Sequence, residues 1–379
     1  MSYLDLQLFS TSTVLYIAPS GIQLFLSENQ FNLLGKNANS LRISETLNTH
    51  SFALIVIHVD SYCLDCLSPD LFENYKNLVM ILGDTHHGKE PLSKLIKWLL
   101  SSNVQRIANY SCPHHDEIIT KLTGIECIYF PIIFAVKFWI YPKITSSDQN
   151  IIHLGSISKN HERRKYVMKS LVNKMVPIQF VKLFGFKMNL ALNYSAAVIN
   201  CSLNNDISHR ISETMSAGTL VFTDKLTQHQ RFLSILENEN IIETYDISSI
   251  DKFADYLNYF KNSYLKTTSG LEDSYKKKIN RQNKFRSLIR ELDLYRVLKK
   301  FLFLEEVILP NALIPLSTQL KPKYIEEHLT DYEEKMETHR QLIAKNNNKL
   351  LISQINSNRL LLRLADYYTV LNESGQKYQ

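Results

Sequence analysis

Polar positions almost vanish from two short stretches of the chain, residues 52–59 (FALIVIHV) and 78–82 (LVMIL). An amphipathic helix or a half-exposed strand would show a polar face. Short runs without one read as strands buried on both sides of a parallel sheet. Residues 13–18 (TVLYIA) read as the first strand of that set, ending in the turn Pro19-Ser20-Gly21, and residues 125–129 as the last. Residues 90–100 and 115–122 carry apolar positions at helical spacing. Strands alternating with helices of that length predict a doubly wound α/β unit.

The apolar run 130–142, followed by the polar stretch 143–149 (KITSSDQ), reads as a boundary, after which the pattern restarts. Strands are expected at 151–154, 179–183, 196–199, 220–223 and 241–245, with helices at 161–172, 208–217, 228–236 and 250–260. This second unit is α/β as well. From about Lys261 the chain becomes charged and Lys-rich, with helical patterns at 275–304, 324–344 and 358–371 around a Pro-containing segment, 309–323. The expected division is therefore 1–142, 150–260 and a mainly helical extension, 261–379.

Length agrees with more than one core, since 379 residues exceed the roughly 100–200 of an ordinary domain. Hydrophobic residues make up 45% and aromatics 11%, which excludes a disordered chain. A net charge of +6 suits an enzyme of anionic substrates but falls short of the dense basic stripes of a nucleic-acid binder, so no nucleic-acid partner is expected. The start, MSYLDLQLFS, lacks the basic and apolar regions of a secretory signal. The run 131–142 is too short to span a bilayer and is interrupted by Lys137. Five cysteines form no disulfide framework, and Cys63-x-x-Cys66 has no second pair to complete a zinc site. Free thiols in the cytoplasm are expected, with the inner face of the membrane as an alternative position for the basic C-terminal helices. Only ten glycines occur and no G-x-G-x-x-G, which argues against a nicotinamide or flavin enzyme.

Residues 204–224 (NNDISHRISETMSAGTLVFTD) concentrate the chemistry. A polar loop enters a short helix bearing Arg210 and Glu213, Gly218 supplies a left-handed cap, and a buried strand ends at Thr223-Asp224. Glu213 can accept two hydrogen bonds from the vicinal hydroxyls of a ribose. Arg210, three residues earlier, either pairs with Glu213 or meets a diphosphate. An isolated R-x-x-E is usually a surface ion pair; what raises this one is the complete order of loop, helix, glycine and strand. Ahead of it, His153-Leu154-Gly155-Ser156 is a strand running into a loop, with His161-Glu162-Arg163-Arg164 opening the next helix. Amides at Gly155 and Ser156, the positive helix end and a basic side chain (Arg163 first, Arg164 or Lys159 as substitutes) form a pattern able to hold two phosphates. In the first unit, Gly83-Asp84-Thr85-His86-His87-Gly88 directly follows a buried strand, where open parallel sheets place their active sites. Asp84, His86 or His87 can serve as general base toward an acceptor hydroxyl or bind substrate. One such cluster is no complete metal-ligand set, and no metal is expected. His58, Asp60, His114 and His115 are either further site residues or ordinary loop and helix-start positions.

Arg210, Glu213, Ala217, Gly218, Thr223 and Asp224 resemble the C-terminal domain of group 1 glycosyltransferases of GT-B architecture, in the subgroup of the spore-maturation glycosyltransferases. The resemblance covers residues 150–260 well and the first half more loosely. It implies two Rossmann-like domains facing across a cleft, a helical C-terminal extension, and transfer of a sugar from a nucleotide-diphosphate donor to an acceptor hydroxyl in glycan biosynthesis. The implied partners are that donor and an acceptor glycan, lipid-linked glycan or protein, with self-association through the C-terminal helices a further expectation. The implied donor-binding residues are Gly155, Ser156, Arg163, Arg210, Glu213 and Gly218, the catalytic ones Asp84, His86 and His87, with no cofactor and no metal. One departure stands out: many such enzymes carry a second glutamate eight positions before the first, where this chain has Asn205 beside Asp206. The alternatives are a non-catalytic scaffold of the same shape and a nucleotide-sugar epimerase.

Overall fold

The computed structural model describes residues 14–20, 30–85, 91–110, 113–131, 150–157, 162–183, 185–202, 206–265 and 270–316. The chain divides into two compact units. The first comprises residues up to Phe130 and Tyr295–Ile308, the second Pro131–Leu294 and Leu309–Leu316, beside segments outside the described residues. Their boundary falls at the start of the apolar run 130–142.

The first unit holds strands β1 (Val14–Ala18), β2 (Gln30–Leu34), β3 (Leu54–Val59), β4 (Leu78–Leu82), β5 (Arg106–Asn109) and β6 (Glu126–Tyr129). All pair in parallel in the order β2-β1-β3-β4-β5-β6. Helices α1 (Ser40–Thr49), α2 (Pro91–Leu100) and α3 (Pro113–Thr123) bury Ile43, Leu47, Leu95, Leu99, Ile119 and Leu122 against Ile55, Ile57, Met80 and Ile107. Tyr16, Val56, His58, Val79 and Ile81, which alternate with those positions, are buried too. Burial of both faces is why these strands read as unbroken apolar runs. Strands β2 and β5 are absent from the sequence reading: β2 lies at the sheet edge, only half-buried, and β5 has two apolar residues in four.

The second unit holds β7 (Ile151–Leu154), β8 (Ile178–Val181), β9 (Ala197–Ile199), β10 (Leu220–Asp224) and β11 (Ile242–Tyr245), all parallel, in the order β11-β10-β9-β7-β8. One face packs on α4 (Glu162–Asn173) and α8 (Ile250–Leu265) through Val167, Leu171, Phe253 and Leu257. The other packs on α5 (Gly185–Tyr194) through Met188 and Leu192. Helices α6 (His209–Ser216) and α7 (Gln230–Asn238) complete it. From β7 the chain first goes outward to β8 and then returns to β9 on the other side. Open sheets bind ligands at the carboxyl ends of the two strands flanking such a reversal.

The stretch expected as one helix at 275–304 is two, broken at Asp293 in a left-handed conformation (φ 48°). Helix α9 (Gly270–Glu291) belongs to the second unit, where Lys278 Nζ donates to the carbonyls of Leu192 (3.3 Å), Ser195 (2.7 Å) and Asn193 at the end of α5. Gln282 donates to Ser216 O (2.6 Å) at the end of α6. Helix α10 (Leu294–Leu302) returns to the first unit, where Arg106 donates to Phe301 O and Glu305 O and its guanidinium lies 5.0 Å from the Phe301 ring centroid. The helices expected at 324–344 and 358–371 lie outside the described residues. Among the described residues no helix is long and apolar enough to cross a membrane.

Candidate functional site

The two strands flanking the reversal in the second sheet, β7 and β9, are tied at their carboxyl ends by His153. Its Nδ1 lies 2.9 Å from Ile199 O. A carbonyl only accepts, so Nδ1 carries the proton in this contact and the other nitrogen, Nε2, has a bare lone pair in the neutral ring. Gly155 follows with φ +135°, a conformation other residues rarely adopt. A Cβ there would sit 3.6 Å from Arg164 Nη1 and 3.9 Å from His153 Nε2, so both groups look onto the space the glycine leaves open. Burial, then the charge of Arg164, and also that of Arg210, hold His153 down at about 4. Arg164 on α4 and His153 on β7 therefore converge on one spot, and the charge of Arg210 on α6 also reaches the ring.

Two sequence expectations at this loop are corrected. The Gly155 N–H is not available to a phosphate, because it donates to Val181 O (3.3 Å) and extends the pairing of β7 with β8. Arg163, the first choice for the diphosphate, turns inward: it is buried and its Nη2 meets Asp224 Oδ2 at 2.5 Å. Burial is the largest single influence and works against the charge of Arg163, but Asp224 together with Cys201, Tyr245 and Asp206 holds the guanidinium above its ordinary range. The neighbouring Arg164 takes the outward place. It donates to Ser156 O (3.0 Å) and Cys201 O (3.1 and 3.3 Å), which brings the loops after β7 and β9 together.

Asp224 does more than pair with Arg163. Its Oδ1 accepts from Ser202 N (2.8 Å), and Ser202 Oγ donates to Asp206 Oδ1 (2.8 Å). Asn200 bridges Thr223 Oγ1 and Ser208 Oγ at 3.0 Å each. These buried groups fix the polar loop that leads into α6. Asp206, the acidic residue beside the missing glutamate, is engaged in closing that loop, and Asn204 and Asn205 lie outside the described residues. On α6, Arg210 Nη1 pairs with Glu213 Oε2 at 2.9 Å and also touches Met188 Sδ. Of the two expectations for Arg210, the pair with Glu213 is the one formed. Both side chains are largely covered, at 16% and 11% exposure, so the pair is no solvated surface bridge. Gly218 takes φ +73°, the left-handed turn that ends α6.

In the first unit, Gly83 leads β4 into Asp84. A Cβ on Gly83 would meet Asp60 Oδ1 at 2.1 Å and the Tyr110 hydroxyl at 2.5 Å, so only glycine fits. The Asp84 amide donates to Asp60 Oδ1 (2.7 Å), and its carbonyl accepts from Ser61 N (2.9 Å) and Ser61 Oγ (2.8 Å). Thr85 Oγ1 is 2.8 Å from His115 Nδ1. His58 is not solvated: its ring lies between the Tyr16 hydroxyl (2.6 Å) and the Tyr110 hydroxyl (3.0 Å), which joins β1, β3 and the end of β5. His86 and His87 lie outside the described residues, as does Lys159. Among the described residues no three His, Cys, Asp or Glu side chains form a group able to hold a metal ion.

The sequence matches no protein-family model and no curated protein. Solved structures with a similar course of the chain include sucrose-phosphate synthase (tll1590) from Thermosynechococcus elongatus, 8% identical, with a TM-score of 0.41 over 72% of this chain and 80% of that one. TarM is 13% identical with a TM-score of 0.41, covering 67% of this chain and 57% of its own. A component of the Gap123 glycosylation-associated complex from Streptococcus agalactiae is 10% identical, with a TM-score of 0.39 over 70% and 57%.

Of the residues expected at the donor site, Arg210, Glu213, Gly155 and Ser156 lie around one end of the second sheet, joined through Arg164 and His153. Arg163 lies beneath it, and Gly218 lies at the opposite end of α6. The residue the sequence reading passed over is His153. Its signal was a single polar residue in a four-residue apolar strand, one position before the strand's end.

Proposed function

We propose that the chain is a glycosyltransferase that moves a sugar from a nucleotide-diphosphate donor to an acceptor hydroxyl. The observation that carries this is the convergence of Arg164 and His153 on the space at Gly155, within the field of Arg210, with the covered carboxylate of Glu213 held against Arg210. Cationic groups at the reversal point of a parallel sheet suit a diphosphate, and a carboxylate one helical turn along suits the ribose of the same nucleotide. Departure of the sugar leaves negative charge on the diphosphate. Fixed cations supply stabilisation where that charge develops, without reorganisation during the reaction. Arg164 takes the role first expected of Arg163. Arg163 and Asp224 act as positioning residues, because their buried pair holds the loop after β9 on which Arg164 also rests. Asp84, His86 and His87 are the candidates for the acceptor side.

The ribose assignment is tested by calorimetry with UDP, GDP and TDP. Glu213→Ala is expected to weaken binding of the preferred nucleotide by about 1.5–3 kcal/mol, the worth of hydrogen bonds to a charged group. Unchanged affinity in a folded variant contradicts it.

A further inference from the structure

His153 carries a buried, unused nitrogen at the point where the proposed donor diphosphate would sit. The residue is 1% exposed, and among the described residues Nε2 meets no hydrogen-bond partner. Buried polar atoms of native proteins are nearly always satisfied, so an orphan beside the position that Gly155 leaves without a side chain points to a missing ligand. The ring cannot turn away to serve another purpose. Nδ1 is held by Ile199 O at 2.9 Å, and the Phe180 ring stands edge-on against the imidazole at 6.0 Å between centroids. Nε2 is therefore fixed toward the space above Gly155, which Arg164 Nη1 also faces.

We propose that His153 is a phosphate-binding residue: when a phosphate or diphosphate group enters the Gly155 notch, the imidazole takes one proton from solvent at Nε2 and donates it as a hydrogen bond to a phosphate oxygen. Nδ1 keeps its proton and goes on donating to Ile199 O throughout, so the bound form is an imidazolium with both nitrogens donating. The charged groups acting on the ring among the described residues are Arg164 from α4 and Arg210 from α6, with Glu213 behind Arg210. In the ligand-free protein those two cations and burial keep the ring neutral. An arriving dianion reverses the balance, because it neutralises the cations and places negative charge at hydrogen-bond distance from Nε2. Binding is thereby linked to uptake of one proton, and affinity rises as pH falls. This rests on the donor reading of the same site for the identity of the ligand, but not for the protonation itself.

Nucleotide sugars serve as the first probe, because their diphosphate diesters do not titrate between pH 6 and 8, so any pH dependence belongs to the protein. A panel of UDP-, GDP- and TDP-sugars is titrated by calorimetry at pH 6 and pH 8 into the full chain and into His153→Asn, whose amide can keep the bond to Ile199 O but has no second nitrogen. The full chain is expected to bind about tenfold more tightly at pH 6 than at pH 8, and the variant to lose that difference. The second probe is inorganic pyrophosphate, read on the unsubstituted chain by the nitrogen-15 shift of His153 Nε2, which moves to the imidazolium position on binding. That measurement does not depend on the variant folding. If nucleotide sugars bind equally at both pH values and Nε2 stays unprotonated, the His153 proposal is wrong while the donor reading survives. If pyrophosphate protonates His153 but no nucleotide sugar binds, the proposal stands and the donor reading falls. If neither probe binds, both are overturned.

Discussion

Two carboxylates of this chain, both short of solvent, are handled in opposite ways. Asp224 meets a cation, Arg163, and the Ser202 amide. Among the described residues Asp116, in the first turn of α3, meets two neutral donors, the Asn109 amide (2.5 Å) and the Cys127 thiol (3.4 Å). Burial pushes Asp116 up to about 7, and the two hydrogen bonds offset only part of that. In the unfolded chain an Asp loses its proton near pH 4. Between about pH 4 and 7 the folded state therefore holds the extra proton, and stability falls as pH rises through that window. Asp116→Asn reproduces the neutral acid and removes this loss. The variant is expected to match the parent at pH 4 and to exceed it by about 1–2 kcal/mol at pH 8, allowing for the partial exposure of the residue. Urea midpoints at the two pH values measure it; a less stable variant at pH 8 contradicts it. The same scale shows what a sequence withholds. The basic pair Arg163-Arg164 was legible as a feature of a helix start, but not which member faces out. Adjacent helical residues point about 100° apart, so one arginine had to turn inward, and only the position of Asp224 decides which.

At the scale of elements, strands with continuous apolar runs were legible because both sheet faces are covered, as in β3 and β4. Strand β5 and helix α5 were not. The former has two apolar residues, and the latter (GFKMNLALNY) is a mixed sequence whose helix depends on burying Met188 and Leu192 against the sheet. The helical pattern at 275–304 was legible, but not its break at Asp293 or the separate allegiance of its two parts. Part of this stretch was expected to pack back on the sheets, but its lysines gave no sign of which turns inward: Lys278 is buried and caps the end of α5 with three bonds to carbonyls. Its donors satisfy the exposed C-terminal carbonyls of that helix, where a cation also suits the helix dipole. Lys278→Met removes these three hydrogen bonds and should cost about 2–4 kcal/mol in urea unfolding, detaching α9 first. A loss below about 0.5 kcal/mol shows that the Lys278 bonds are not what holds α9 in place.

At the scale of the whole chain, two parallel α/β sheets carry two clusters of polar side chains at the carboxyl ends of their strands, one around Asp60, Asp84 and His115, the other around His153, Arg164 and Glu213. If the first supplies a general base, replacing Asp84, His86 and His87 singly should lower turnover by about 100-fold or more at one position while leaving donor binding intact. Turnover preserved in all three variants removes the base from this loop. The account as a whole turns on whether the chain releases a nucleotide from a nucleotide sugar. The full-length protein is incubated with UDP-, GDP- and TDP-sugars and a cell extract supplying acceptors, and free nucleotide diphosphate is measured against time. The account predicts acceptor-dependent release from one nucleotide class, lost in both Arg164→Ala and Glu213→Ala; no release from any of the three, or release of equal rate in those variants, contradicts it.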